Sequence, residues 1–265
     1  MGDATSLDEI LATTRSRLAS LRERRPELER RAGAAPAAPS FRSVLEDSAV
    51  GVIAEVKRRS PSAGAIRVDL DPARHALAYV TGGAVAVSVL TDEPYFGGTL
   101  SDLEAVTRAV KRPVLRKDFI LDELQLLEAR GAGASAVLLI VRALSSRRLR
   151  ELAGVAHGMG LETLVEVHTE KELESALAAA PSVVGVNSRD LATFTVDTDA
   201  ALRLVGKVPA GVPTVAESGI ANRADVEQAA AAGADAVLVG TAVARAADPA
   251  AAVRALVGVA RRGRA

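Results

Sequence analysis

From Gly51 onward the chain alternates between short apolar runs rich in β-branched residues and longer segments whose apolar positions recur three and four apart. The short runs begin near Gly51 (GVIAEVK), Ala84 (AVAVSVLTD), Pro113 (PVLRKDF), Ala136 (AVLLIV), Glu162 (ETLVEVH), Val183 (VVGVNSR), Pro213 (PTVAESG) and Ala236 (AVLVGTAV). Between them, segments such as Ser101–Val110, Glu123–Ala132 and Arg223–Ala232 predict helices. Such alternation makes a parallel sheet covered by helices, in the α/β class. An open doubly wound sheet alternates in the same way; the count of eight favours a single (β/α)8 barrel. Ahead of it, Ser6 to about Arg31 predicts a helix opened by a Ser6/Glu9 capping box, with Leu7, Ile10, Leu11, Leu18 and Leu21 at helical spacing. Pro26 should kink or split it. The stretch Ala32–Ser40, with one Gly and two Pro, reads as a linker. The expected division is an N-terminal helical extension, 1–45, packed on the barrel, and the barrel itself, 46–265; the alternative for the leader is a solvated, arginine-rich arm.

The ends of the strands carry the chemistry. The runs are apolar, yet several close on polar groups: Glu55 and Lys57, Lys117, Glu166, Asn187 and Arg189, Glu217. Alternation along a strand puts Glu55 with Lys57 on one face, and Asn187 with Arg189. Val56 and Val165 then point to the helices. In a barrel, active sites occupy the C-terminal ends of the strands. Charged groups at that end of five otherwise buried strands are poorly explained by solvation, so one shared site is expected. His168 falls on the face of Glu166 and is expected to make a structural hydrogen bond. The seventh and eighth units add Glu217-Ser218-Gly219-Ile220 and Gly240-Thr241. Glycine directly after a strand lets backbone approach a ligand, and barrels often hold phosphate between these two loops.

Composition narrows the class. Lys plus Arg and Asp plus Glu both number 33 and aromatics make up 2%, so neither an electrostatic footprint for nucleic acid nor a base-stacking platform is visible. There is no cysteine, which removes disulfides, thiolate nucleophiles and sulfur-ligated zinc. His75, His157 and His168 lack ligand spacing, so no metal site is expected. No apolar run is long enough for a membrane span. Asp3, Asp8 and Glu9 near the N-terminus, without an apolar signal core, point to a cytoplasmic protein.

The segments IAEVKRRSPSAG (Ile53–Gly64), SVLTDEPYFGG (Ser88–Gly98), RKDFI (Arg116–Ile120), LVEVH (Leu164–His168), NSRDL (Asn187–Leu191) and AESGI (Ala216–Ile220) together resemble indole-3-glycerol phosphate synthases, in order along nearly the whole chain. The resemblance implies a (β/α)8 barrel with an extra N-terminal helical segment. It also implies a reaction without metal or organic cofactor: ring closure, decarboxylation and dehydration of 1-(2-carboxyphenylamino)-1-deoxyribulose 5-phosphate in tryptophan biosynthesis. On matching positions, Lys117 is similar to the general acid of ring closure, and Glu166 to the base of dehydration. Lys57 is similar to a second lysine that holds the substrate carboxylate and serves as an acid in dehydration. Glu55, Asn187, Arg189 and Glu217 match residues that orient intermediates. Phe96 and Phe119 match groups beside the anthranilate ring, with Leu138 and Leu238 near it. Ser60, Ser218, Gly219, Gly240 and Thr241 match the phosphate site.

These residue types suit that chemistry. A lysine serves as the acid if burial or neighbouring charge brings its pKa toward neutrality. The substrate carries a charge of about −3, which Lys57, Lys117 and Arg189 would balance. Two positions depart from the family pattern: Ser188 stands where Asn is frequent, and Ala63 where lysine is frequent. A monomer is expected, with a dimer as the alternative. Among other barrel enzymes, phosphoribosylanthranilate isomerases usually employ a cysteine, absent here. A Schiff-base aldolase would use a lysine such as Lys117 and be trapped by borohydride. A non-catalytic metabolite-binding barrel has no need to keep Lys57, Lys117 and Glu166 together.

Overall fold

The computed structural model describes residues 6–190 and 193–264; Leu191 of the NSRDL motif lies outside the described residues. The leader forms α1 (Leu7–Glu23) and α2 (Arg25–Ala34), broken at Arg24. Ser6 caps α1 in a capping box with Glu9, and Pro26 sits in the first turn of α2, where its missing N–H costs nothing. There follow β1 (Gly51–Val56), a small hairpin of β2 (Arg59–Ser60) and β3 (Gly64–Ala65), α3 (Pro72–Gly82), β4 (Ala86–Leu90), α4 (Glu93–Phe96), α5 (Leu100–Ala109) and β5 (Val114–Lys117). Then come α6 (Glu123–Gly131), β6 (Ala136–Ile140), α7 (Ser146–Gly158), β7 (Glu162–Val167), α8 (Glu170–Leu177) and β8 (Val183–Asn187). The chain continues with α9 (Thr198–Val205), β9 (Thr214–Glu217), α10 (Arg223–Ala231), β10 (Ala236–Val239), α11 (Thr241–Arg245) and α12 (Pro249–Arg254).

The sheet is a closed barrel, β1-β10-β9-β8-β7-β6-β5-β4, parallel at every junction, with β1 meeting β4 to complete the ring. This is a (β/α)8 barrel. The strands are buried on both faces, which is why they read as continuous apolar runs. Alternation sorts the side chains into two cores. Val52, Ala54, Val56, Val137, Leu139, Val165 and Val237 face outward and pack on the helices. Ile53, Ala86, Leu115, Ala136, Leu138, Leu164, Val183, Val215 and Leu238 fill the interior. Regular capping starts the helices: Asp71, Asp92, Thr99, Asp122, Ser145, Thr169, Asp197, Asn222 and Asp248 each accept a backbone N–H at a helix start.

The leader packs on the barrel. Ile10 and Leu11 join the interior core, while Leu28 and Ala32 pack on Leu124 and Leu127 of α6. The hydroxyls of Thr13 and Tyr95 share a hydrogen bond of 2.9 Å, and Arg31 pairs with Glu104. The stretch expected as a linker is instead tied down. Arg130 donates to the carbonyls of Ala35 and Pro36, at 2.8 and 2.7 Å. Glu162 accepts from the Ser40 hydroxyl and the Arg42 N–H, at 2.7 and 2.6 Å. Proline and glycine made this segment non-helical; the partners that fix it lie far along the chain. Phe41, wholly buried beside Leu45, closes the interior core. Burying one such aliphatic or aromatic side chain stabilises by about 1.5–3 kcal/mol. Removal of residues 1–40 is therefore expected to lower the melting temperature by about 5 °C or more, at about 2–4 °C per kcal/mol for a domain of this size. Thermal unfolding measures it, and an unchanged midpoint would make the leader dispensable.

Candidate active site

A cavity of about 440 Å³ opens at the C-terminal ends of the strands. Its wall includes every residue to which the resemblance assigns a site role: Glu55, Lys57, Ser60, Phe96, Lys117, Phe119, Leu138, Glu166, Asn187, Arg189, Glu217, Ser218, Gly219, Leu238, Gly240 and Thr241. The register explains the convergence. Glu166 lies at the end of β7 opposite Ile140, Asn187 pairs with Glu217 across β8 and β9, and Lys117 ends β5 beside Leu90.

The floor is an ionic cluster. Lys117 Nζ lies 3.5 Å from Glu166 Oε2 and 3.4 Å from Glu217 Oε2. Lys57 Nζ is 2.8 Å from Glu55 Oε1. All three carboxylates are buried, and three acids face two lysines, so the cluster does not neutralise itself. Burial drives the Glu217 carboxyl up, to about 8, with the charges of Glu166 and Glu55 acting in the same sense against Lys117. Burial raises Glu55 as well, but the ammonium groups of Lys57 and Lys117 overcome this and hold it below the usual carboxylate range. Lys117 does not meet the condition of a pKa brought toward neutrality. Burial pulls it down, yet Glu217, Glu166 and Glu55 together hold it above the ordinary lysine value. It is thus an ammonium at neutral pH, with its proton in place.

Two glycines make room for this cluster. A Cβ on Gly185 would sit 2.1 Å from Glu217 Oε1 and 2.6 Å from a Leu164 methyl. A Cβ on Gly240 would meet Glu55 Oε1 at 2.4 Å and Lys57 Nζ at 2.7 Å. Gly240 therefore sets the positions of a carboxylate and a lysine besides opening the loop.

The rest of the cavity divides by polarity. Phe96 and Phe119, centroids 6.3 Å apart, form an apolar wall with Leu138 and Leu238. Ser60, Ser218, Gly219, Gly240 and Thr241 line the polar side. Ser218 adopts φ +64°, a left-handed conformation that a non-glycine residue holds only under constraint. Arg189 donates to the Phe194 carbonyl at 3.0 Å, and its own N–H donates to Asn187 Oδ1. Ser188 points away, its hydroxyl donating to the Glu217 carbonyl at 3.1 Å. Ala63 lies exposed at the rim, near the hairpin of β2 and β3.

Sequence reasoning missed Gly185, Phe194 and Arg245. Gly185 had a signal, since a lone glycine inside an apolar strand marks close approach. Arg245 had one too: it stands four residues after Thr241, on the same face of α11. Phe194 had none, because its place follows from the loop after β8. Among the described residues no group of three or more His, Asp or Glu side chains is arranged to hold a metal ion, and no helix is long and apolar enough to cross a membrane.

The family model for indole-3-glycerol phosphate synthase matches residues 7–256. The chain is 47% identical over 260 residues to an indole-3-glycerol phosphate synthase of Mycobacterium avium, covering 97% of this chain and 95% of that one. It is 46% identical to the enzyme of that name from Desulfosudis oleivorans, over 92% of this chain and 95% of the relative. Among solved structures, a thiamine phosphate pyrophosphorylase from Pyrococcus furiosus superposes with a TM-score of 0.62 at 17% identity, covering 82% of this chain and 96% of its own, a likeness of fold alone. With the family model spanning almost all of it and relatives near half identical over 95% of their length, the chain belongs to the indole-3-glycerol phosphate synthase family.

Proposed function

We propose that this protein is an indole-3-glycerol phosphate synthase, converting 1-(2-carboxyphenylamino)-1-deoxyribulose 5-phosphate to indole-3-glycerol phosphate, carbon dioxide and water in tryptophan biosynthesis. The observation that carries the reading is Lys117 set between Glu166 and Glu217 at the floor of a cavity with one aromatic and one glycine-rich side.

The anthranilate ring lies against Phe96 and Phe119, with Leu138 and Leu238 beneath it. The phosphate takes the side of Ser60, Ser218, Gly219, Gly240 and Thr241, and Arg245 adds a cation that the three glutamates do not engage. Between them the ketone meets Lys117. The aromatic carbon bearing the carboxylate attacks the ketone carbon, and the ketone oxygen takes the Lys117 proton. A developing alkoxide is far more basic than an amine, so a raised lysine pKa does not impede this transfer. Carbon dioxide then leaves, its electron pair restoring the aromatic ring. Lastly the new hydroxyl departs as water with a lysine proton, Lys57 being placed for this by its contact with Glu55. The methylene beside nitrogen gives its proton to Glu166. Glu55, Asn187, Arg189 and Glu217 orient the intermediates. No cofactor enters, because the ring itself is the electron sink. Every group is supplied by one chain, which supports a monomeric functional unit, and a small phosphorylated metabolite as substrate fits a cytoplasmic setting.

Incubating the protein with that substrate and following indole fluorescence tests the reading; no fluorescence gain with intact protein would overturn it. Inorganic phosphate or sulfate is expected to compete with substrate, and a crystal soaked in sulfate should hold the ion beside Gly219 and Gly240. An empty site without kinetic competition would remove the phosphate assignment.

A further inference from the structure

His168, at the end of the strand that carries Glu166, is buried with its imidazole between two carboxylates. Its Nδ1 lies 3.2 Å from Glu172 Oε2, and its own backbone N–H donates to the same oxygen at 2.7 Å. On the other side its Nε2 lies 3.7 Å from Glu166 Oε1. Both of those facing atoms are buried, and neither has a hydrogen-bond partner among the described residues. Two buried polar atoms left unpaired are costly, and a proton arriving on Glu166 during the reaction would satisfy both at once.

The surrounding charges decide which imidazole nitrogen is free to receive it. Although burial raises the Glu172 carboxyl, its bonds from His168 and from Arg142 hold it down to about 2, so it is an acceptor only. Arg142 Nε donates to Glu172 Oε1 at 2.7 Å and its Nη1 to Asp190 at 2.6 Å, so the guanidinium that holds Glu172 is itself tethered. A carboxylate of that kind fixes the imidazole tautomer: Nδ1 carries hydrogen and Nε2 presents its lone pair. Glu166, for its part, gives Oε2 to Lys117, and the Glu217 carboxyl lies on the far side of that lysine. Its Oε1 is turned to the histidine.

We propose that His168 is the proton acceptor behind Glu166, a positioning and relay residue for the dehydration step; this rests on the synthase reading above. When the methylene C–H bond breaks, its electron pair forms the ring double bond, the hydroxyl takes the Lys57 proton and leaves as water, and the methylene proton arrives on Glu166. The acid then turns its Oε1–H onto His168 Nε2, and the proton passes across to give an imidazolium flanked by Glu166 and Glu172. Glu166 is an ionised base again, and His168 returns the proton to solvent when product leaves.

The test combines histidine 15N shifts with two variants. In the resting wild type at neutral pH, His168 should be the Nδ1–H tautomer with a bare Nε2; hydrogen on Nε2 would overturn the proposal. His168→Ala should lower kcat by about 10- to 100-fold, with KM moving less than about twofold and carbon dioxide release unaffected. His168→Gln, whose amide oxygen can accept a hydrogen bond but not a proton, should leave kcat well below that of the wild type. A His168→Ala enzyme with unchanged kcat, one whose loss lies in KM, or a His168→Gln enzyme with the wild-type rate would sink the idea. The two readings fail separately. A wild type that forms no indole product refutes the synthase assignment, whereas an active wild type indifferent to His168 refutes the relay alone.

Discussion

Lys117→Ala should lose at least about 10²-fold in kcat, and as much as about 10⁴-fold, while still binding a product analogue. That is the span of general acid catalysis, or about 2.7–5.4 kcal/mol at 1.36 kcal/mol per decade. The loss should fall on ring closure, so carbon dioxide release slows together with indole formation in a rapid-quench experiment. The substitution also strips the cluster of a cation, leaving Glu55, Glu166 and Glu217 with Lys57. Glu217 already titrates near 8 against a reference value of 4.5. A carboxyl raised in the fold contributes stability that is complete below about 4.5 and lost as pH rises through its folded value. The Lys117→Ala protein should therefore become less stable relative to wild type between neutral and alkaline pH, because its carboxylates ionise there without their cation. Lys117→Arg keeps the charge and the stability but gives up its proton far less readily, which separates lost chemistry from lost fold. Normal carbon dioxide release from Lys117→Ala would transfer the role of first acid to Lys57.

The barrel was legible because burial on both faces writes each strand as an apolar run, and Asp, Asn, Ser or Thr caps announce many of the helices. Alternation alone placed Glu55 with Lys57, and Asn187 with Arg189, on the inward face. What it left open was distance between strands. Nothing in the neighbourhood of Lys117 says that Glu217, a hundred residues later, lies 3.4 Å away. For that reason the sequence states only a condition, a lysine pKa brought toward neutrality by burial or neighbouring charge, and the encircling carboxylates act in the opposite sense. The same limit hid the partners of the segment after α2: Arg130 and Glu162 belong to units that the chain has yet to reach when it passes Ala35. The pairing of His168 with Glu172 was within reach of sequence, being four residues apart across a strand-to-helix turn. Its second contact, with Glu166, needed the side-chain directions at the end of β7.

Glu166→Gln should separate the last chemical step from the first two. The amide keeps the shape of the carboxylate and can still accept a hydrogen bond from Lys117, so substrate should bind and ring closure should proceed. It cannot take a proton from the methylene. Indole formation is expected to fall by about 10²- to 10⁴-fold, with carbon dioxide released at close to the wild-type rate and a hydroxylated indoline accumulating. Glutamine also removes one negative charge from the floor, so Lys117 loses part of the field that holds its pKa up and becomes a readier acid. Ring closure should therefore be no slower in the variant, which makes the dissection sharper than Lys117→Ala allows. Lys57→Ala should stall at the same stage if Lys57 protonates the departing hydroxyl, but with a raised KM as well, since it also holds the substrate carboxylate. Quenched time courses of carbon dioxide and indole decide between these roles. If Glu166→Gln slows carbon dioxide release as much as indole formation, Glu166 acts before or during ring closure. The dehydration base would then have to be sought elsewhere, first at Glu217, which shares the Lys117 ammonium with Glu166.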